Sequence, residues 1–219
     1  VRYNTDGSLD NTFSPPENTL NSTPTVSEQS TVVLAPFAQI FDAELAASGN
    51  YNGATLTLSR NGGSNAEDGF SAKTGGTLTI LTEGAYFAVD GVSIGRVTTN
   101  SNGTLVLTFN SNATQSLVNS AMQQIAYRNA SDAPPATVQI DWTFNDSNTG
   151  AQGEGGAMSV TGSTIVNITA VNDAPQVNQY IEDQKALINA EFIFTIPENT
   201  FIDPDGDTLT YSMTMADGT

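Results

Sequence analysis

The sequence predicts a mainly β protein: an antiparallel β-sandwich with one short helix, followed by a partial second β-sandwich domain. Two observations carry this prediction. Apolar residues recur at every second position in several short segments, which is typical of strands with one buried face. Clusters of turn-forming residues, such as Asn61-Gly62-Gly63-Ser64 and Asn102-Gly103, separate these segments. Short strands separated in this way favour an antiparallel sandwich.

The chain divides into three predicted parts. Residues 1–21 form an N-terminal tail or linker, because they are rich in turn formers and lack hydrophobic periodicity. Residues 22–173 form the first β-sandwich domain, and residues 174–219 form the partial second domain. The predicted strands of the first domain lie at residues 31–34, 54–60, 77–81, 104–109, 137–144 and 163–171.

One segment of the first domain has the periodicity of a helix. From Thr114 to about Tyr127, apolar residues recur at three- and four-residue intervals, and Thr114 is suited to cap the helix N-terminus. We expect this helix to pack on the sandwich through Leu117, Val118, Met122 and Ile125. The single tryptophan, Trp142, alternates with aliphatic residues in a predicted strand, which predicts a core position rather than a sugar-binding surface.

The second domain is predicted to be incomplete. Its first strands are expected at residues 192–196 and 208–213, and 44 residues follow Pro175. A chain below roughly 40 residues seldom folds without staples or partners. We therefore expect either a truncated domain or one that another chain completes. The chain also starts without Met and stops within a strand-like pattern, so we expect it to be a piece of a longer protein.

Composition excludes several classes of function. The chain carries 6 Lys and Arg residues against 23 Asp and Glu residues, a formal net charge of -17, which argues against binding to nucleic acid or an anionic membrane surface. Neither cysteine nor histidine is present, which rules out disulfides, thiolate metal sites and Ser-His-Asp triads within this sequence. No apolar run reaches the length of a membrane span, so we expect no direct membrane insertion. We also expect no enzymatic activity, because no segment gathers carboxylate pairs beside several exposed aromatic residues.

The most specific motif is Asp203-Pro204-Asp205-Gly206-Asp207. Its carboxylates lie at alternate positions around a proline and a glycine, where a turn can bring them together. Asn172 and Asp173 follow the last strand of the first domain, just before Pro175 ends the sheet ladder. Converging oxygen ligands suit a hard cation, above all Ca²⁺. The alternative interpretation is an ordinary Asp-Gly turn between two strands.

Three segments resemble known families. Residues 22–173 resemble a cadherin-like domain of large bacterial calcium-dependent adhesins of the RTX type, through residues 54–68, 123–132 and 142–146. Residues 197–211 resemble the start of a dystroglycan-type cadherin-like domain. Residues 2–13 resemble a short bacterial delta-60 type repeat. The resemblance implies cadherin- or immunoglobulin-like sandwiches in a secreted or cell-surface adhesion protein, with neighbouring domains of the same chain as partners and calcium at the joints.

The resemblance also implies a set of calcium ligands. At the joint between the two domains, Asn172 and Asp173 match the middle of the cadherin linker motif, while alanines replace its outer ligands, so one ion is the expectation. Asp203 and Asp205 match the next motif, with Asp207 beside them. Glu28 is the candidate from the first domain. Further candidate ligands are Asp42 and Glu44, which would bind calcium at an upstream joint. The weaker candidates are Asp146, Glu67 and Asp68.

Two alternatives to a structural or adhesion module stay open. The chain could bind a cell-surface glycan or a protein ligand through one end of the sandwich, or it could be a non-catalytic piece of a secreted enzyme. Carboxylate pairs such as Glu67 and Asp68 could in principle serve glycoside hydrolysis, but the sequence gathers no exposed aromatic residues around them.

Overall fold

The computed structural model describes residues 19–149 and 156–214, and the chain forms two compact units that divide between Thr169 and Ala170. The segment that resembles a delta-60 repeat lies outside the described residues. The mainly β prediction with a sandwich-like arrangement is confirmed. The elements of the first unit are β1 (Thr25–Ser27), β2 (Val32–Val33), α1 (Ala43–Ser48), β3 (Thr55–Arg60), β4 (Asp68–Ala72), β5 (Tyr86–Val89), β6 (Val92–Ser101), β7 (Thr104–Phe109), α2 (Gln115–Met122), β8 (Ile125–Asn129), β9 (Thr137–Asn145) and β10 (Ser159–Thr169).

Two sheets organise the first unit. Seven strands form one sheet in the order β1-β10-β9-β3-β7-β6-β5, and three form the other in the order β2-β8-β4. All neighbours are antiparallel except β1 and β10, which run parallel with Val26 opposite Ile168. The first strand therefore extends the sheet beside the last strand of the unit, which ties the two ends of the unit together.

The core of the first unit is formed by the apolar side chains that alternate along its strands. In β9 the predicted face is confirmed, because Val138, Ile140, Trp142 and Phe144 are all buried. The Trp142 indole is fully buried and donates a hydrogen bond of 3.0 Å to the Thr164 hydroxyl, as a buried tryptophan requires. Trp142 is therefore a core residue and offers no surface to a sugar.

The predicted helix forms, but it is shorter than expected. The Thr114 side chain accepts a hydrogen bond from the Leu117 backbone amide, and α2 ends at Met122. Ile125 is buried as expected, although it lies in β8 and not in the helix, and Leu117 is only half-buried. A second helix, α1, was not predicted. Asp42 caps it, and Gly49 ends it with a φ of 77°.

The predicted strand at residues 77–81 is wrong. This segment is irregular, with Leu78 and Leu81 buried and Ile80 exposed. The side-chain carbonyl of Gln124 accepts hydrogen bonds from the Thr77 and Leu78 amides, at 2.6 and 3.0 Å. Because this side chain uses amides that a neighbouring strand would need, the alternating pattern does not become a ladder.

The tail assigned to residues 1–21 overlaps the fold at its end. Thr19 pairs with Gln39 through two backbone hydrogen bonds, and Leu20 is buried in the core. The remainder of that tail, residues 1–18, lies outside the described residues.

The second unit has little regular structure in its described part. Its strands are β11 (Gln176–Val177) and β12 (Phe201–Ile202), which form a two-stranded antiparallel sheet. The predicted strands at 192–196 and 208–213 are wrong, since neither segment forms a ladder with another described residue. Apolar residues are present in both segments, but among the described residues neither segment has a strand paired with it.

Candidate metal site in the second unit

The β11–β12 pair brings two acidic segments of the second unit to the same end of a small sheet. Gln176 pairs with Ile202, so Asp173, three residues before Gln176, lies near the chain that leaves β12 at Asp203. We call Asp173, Asp203, Asp205 and Asp207 the acidic cluster. The position of its members depends on this short ladder as well as on the local turn.

The turn after β12 folds around the Asp203 side chain. Asp203 Oδ1 accepts hydrogen bonds from the Asp205 amide at 3.0 Å and from the Asp207 amide at 3.2 Å. The Gly206 amide donates to the Asp203 carbonyl at 3.1 Å, and Gly206 has a φ of 79°, where glycine is favoured over other residues. This is the Asp-Gly turn that was the alternative interpretation of the motif, and it leaves Asp203 Oδ2 without a hydrogen bond from any described residue.

Asp173 and Asp205 are in direct contact. The Asp173 amide donates a hydrogen bond of 2.7 Å to Asp205 Oδ2, and one carboxylate oxygen of each residue lies within 4.8 Å of the other. Asp173 Oδ2 is buried and has no hydrogen-bond partner among the described residues. A buried carboxylate oxygen without a partner is costly, and a cation is the partner that removes the cost most directly.

These distances are compatible with one hard cation. Ca²⁺ binds oxygen at about 2.3–2.6 Å, so two ligands of one ion can lie up to about 5 Å apart. Asp173, Asp203 and Asp205 each keep an oxygen that no described N–H group uses. Asp173 and Asp205 therefore have the ligand type, charge and spacing that a hard cation requires.

The other residues predicted at the joint are described one by one. Asn172 is exposed, and its side-chain amide donates to the Asp173 carbonyl at 3.1 Å. Asp207 is exposed and contributes its amide to the Asp203 turn. In the first unit, Glu28 is 7% exposed at the end of β1, and its amide donates to the Thr169 carbonyl. Glu28 Oε2 is buried and has no described hydrogen-bond partner, so it too needs a positive partner.

The predicted upstream ligands have local structural roles. Asp42 Oδ1 accepts a hydrogen bond of 2.8 Å from the Leu45 amide and so caps α1. Glu44 is exposed in the first turn of the same helix, where its negative charge interacts favourably with the helix dipole. Beside them, burial is the main cause that raises the pKa of the Tyr51 hydroxyl, with a further increase from the Asp42 charge.

The weaker candidates are used inside the first unit. Asp146 is buried, and its Oδ1 accepts hydrogen bonds from the Asn148 and Met158 amides, which joins the two ends of the segment between β9 and β10. Glu67 is exposed, and its amide donates to the Asn65 side chain. Neither residue belongs to the acidic cluster.

Sequence reasoning missed a buried ion pair at Asp68. Arg60 contacts Asp68 through two hydrogen bonds, of 2.7 and 2.6 Å, and Tyr127 and Asn129 donate to the same carboxylate at 2.6 and 3.0 Å. The hydrogen bond to Asp68 is the main cause that raises the pKa of Arg60. Burial, and then the hydrogen bond that Tyr127 itself donates to Asp68, raise the pKa of Tyr127. The signal in the sequence was Arg60 itself, one of few cations, placed at the end of a predicted strand.

None of the helices in the described part of the chain is long and apolar enough to cross a membrane. No protein-family model, no curated protein and no solved structure matches this chain.

Proposed function

We propose that the chain is a calcium-binding structural or adhesion module of a larger secreted or cell-surface protein, and that the acidic cluster of the second unit holds the ion. The observation that carries this proposal is the buried, unpartnered oxygen of Asp173 beside the Asp205 carboxylate. The cadherin-like resemblance of the sequence supports the same function. It also supports a stiffening of the connection between the two units when the ion binds.

The effect of the ion follows from charge. Four carboxylates lie in the acidic cluster, and Lys185 is the only basic residue between Ala170 and Thr219. Without a cation, the backbone amides that point at Asp203 and Asp205 offset the repulsion only in part. A divalent ion converts the repulsion into shared coordination, so the loop and the β11–β12 pair become more stable.

The free energy expected from ion binding is comparable to the difference between two arrangements of a flexible connection. Extracellular calcium modules often have a Kd of about 10⁻⁴–10⁻³ M. At ten times such a Kd, binding adds about 1.4 kcal/mol to the stability of the bound state. That is small for a folded domain but large for a connection whose arrangements differ by only a few kcal/mol.

Isothermal titration with Ca²⁺ tests the proposal. We expect one saturable binding event in the wild type and its loss in Asp203→Asn/Asp205→Asn, where each amide side chain keeps a hydrogen-bond acceptor but loses the charge. Glu182→Gln/Asp183→Asn removes two exposed charges from the same unit and is the matched control. Equal titrations in all three proteins would contradict the proposal.

Glu28→Gln is a separate arm of this experiment. The sequence predicts Glu28 as a further ligand, so this substitution should weaken calcium binding without abolishing it. If Glu28→Gln binds Ca²⁺ as the wild type does, Glu28 is not a ligand and the acidic cluster acts without it.

A further inference from the structure

An open cleft of about 810 Å³ lies beside β5, the edge strand of the seven-stranded sheet in the first unit. One wall is the loop at residues 72–80, and the other is formed by β5 and Ser93 of β6. The acidic cluster is not part of it. The cleft is a separate feature of the molecule, and its chemistry is different.

The loop wall is held in place from behind. Gln124 accepts hydrogen bonds from the Thr77 and Leu78 amides, and its side-chain amide donates to the Ser120 carbonyl at 2.9 Å. Leu78 and Leu81 are buried beneath the loop. Gly76 passes so close to the Gln124 side chain that a Cβ at this position would collide with it. The cleft is therefore largely preformed, as ligand sites usually are.

Several side chains that line this cleft are exposed or make no hydrogen bond with a described residue. Tyr86 is 75% exposed and Ile80 is 81% exposed, although both are large and apolar. The hydroxyl of Tyr86 has no hydrogen-bond partner among the described residues, and neither do those of Thr74 and Ser93. The described part of the chain offers Lys73 no ion pair. An exposed aromatic ring, an aliphatic side chain, free hydroxyls and one ammonium group thus share one open surface.

The edge of β5 is blocked at Ala88, which interrupts the pairing that an added peptide strand would need. The Thr79 amide donates to the Ala88 carbonyl at 2.9 Å, and the Ala88 amide donates to the Thr79 hydroxyl at 2.8 Å. Strand addition requires free backbone groups along the edge, and the loop already uses those of Ala88. Nucleic acid is disfavoured by the formal charge of -17, and the same charge favours a neutral saccharide over a polyanionic one.

We propose that this cleft binds a saccharide chain. The Tyr86 ring and the Ile80 side chain, which both line the cleft, offer apolar surface to the C–H face of a sugar ring, and the Tyr86 hydroxyl adds a polar group. The hydroxyls of Thr74 and Ser93 can exchange hydrogen bonds with sugar hydroxyls. Lys73 donates to a ring hydroxyl or, in a uronic acid, to a carboxylate. The inference does not depend on the calcium proposal, because it uses none of the acidic cluster.

The test is a binding titration with two hexasaccharides, cellohexaose as the neutral probe and hexaguluronate as the anionic probe, followed by NMR in calcium-free buffer. We expect saturable binding of at least one probe, with the largest shifts at residues 73–80 and 86–88. Tyr86→Ala should weaken binding about tenfold, the size of a lost aromatic contact. Ile80→Ser is a second variant with the same expected direction.

Matched controls locate the effect. Tyr180→Ala removes a 92% exposed tyrosine from the second unit and should leave saccharide binding unchanged. Lys73→Gln should weaken the uronate probe more than the neutral one, while Lys185→Gln should change neither. The proposal is overturned if neither probe binds saturably, or if Tyr86→Ala and Ile80→Ser both bind as tightly as the wild type.

Discussion

The two units of this chain have similar sequence patterns and very different structures. In the first unit, alternating apolar residues form a continuous core in which β3, β7 and β9 pair side by side. In the second unit, Leu209, Tyr211 and Met213 alternate with polar residues in the same way, yet the only residue there that is buried in the described part is Thr200. Apolar alternation specifies which face of a strand can be buried, but a neighbouring strand must be present for the burial to occur.

The second unit consequently exposes an apolar surface. Phe192 is 51% exposed and Ile193 is 78% exposed, so both faces of this segment meet solvent. An open groove of about 580 Å³ is lined by Phe192, Phe194, Leu209, Tyr211 and other residues of the same unit. With so little buried area, the ordered part of this unit depends on the β11–β12 pair and the turn at Asp203.

Hydrogen exchange should show the largest difference between the units. Amides of residues 192–196 make no hydrogen bond with described residues, whereas those of β9 lie between β3 and β10. We expect the β9 amides to exchange at least about a thousandfold more slowly than those of residues 192–196, because exchange in β9 requires unfolding of the first unit. Comparable protection in both segments would mean that the second unit has its own closed core.

Replacement of the central core residue should destabilise the first unit strongly. Trp142→Ala removes a fully buried indole and its hydrogen bond to Thr164. We expect a loss of about 3–5 kcal/mol in the free energy of unfolding, measured by circular dichroism in urea. Tyr180→Ala is the control from the second unit and should change that free energy by less than about 0.5 kcal/mol.

The ion pair behind the small sheet should matter almost as much. Asp68→Asn leaves Arg60 without its carboxylate and removes the charge that Tyr127 and Asn129 contact. We expect a loss of about 3 kcal/mol, because one partner of a buried pair stays uncompensated. Asp141→Asn, on the half-buried outer side of β9, is a matched substitution that should have little effect. Equal, small effects would show that the pair is solvated.

Alkaline pH should lower the free energy of unfolding of the first unit. Burial and the Asp68 hydrogen bond raise the pKa of Tyr127, so the folded state keeps a proton that the unfolded state releases above about pH 10. Stability is then lost as pH rises above that value, by up to about 1.4 kcal/mol per pH unit for each such proton. Denaturation between pH 8 and 11 checks this, and Tyr127→Phe should reduce the slope. A slope that Tyr127→Phe leaves unchanged would assign the effect to other groups.

The sequence predicted the long strands well because they satisfy two requirements at once. Residues 104–109 and 137–144 alternate in polarity and also have neighbouring strands on both sides. The helix prediction extended too far because Ile125 continues the helical spacing, although it lies in β8 as part of the second sheet. The strand prediction at residues 77–81 was wrong for a different reason: the Gln124 side chain accepts hydrogen bonds from the Thr77 and Leu78 amides.

The candidate site was predictable in its local part only. The Asp-Gly turn and the position of Asp203 follow from turn chemistry, which acts over a few residues. The contact of Asp173 with Asp205 requires β11 to pair with β12 across the 23 residues from 178 to 200, and no local pattern specifies that register. The assignment of Asp42 as a ligand was attractive for its spacing, but the same carboxylate is an effective helix cap.

An NMR titration of the labelled chain with Ca²⁺ tests the central claim most directly. The amides of Asp173, Asp205 and Asp207 donate to carboxylates of the acidic cluster, so they report on an ion bound there. We predict that these three amides and that of Gly206 show the largest saturable shifts, and that Asp203→Asn/Asp205→Asn abolishes them. The largest shifts at Asp42 and Glu44, or shifts of equal size in the double variant, would contradict the account.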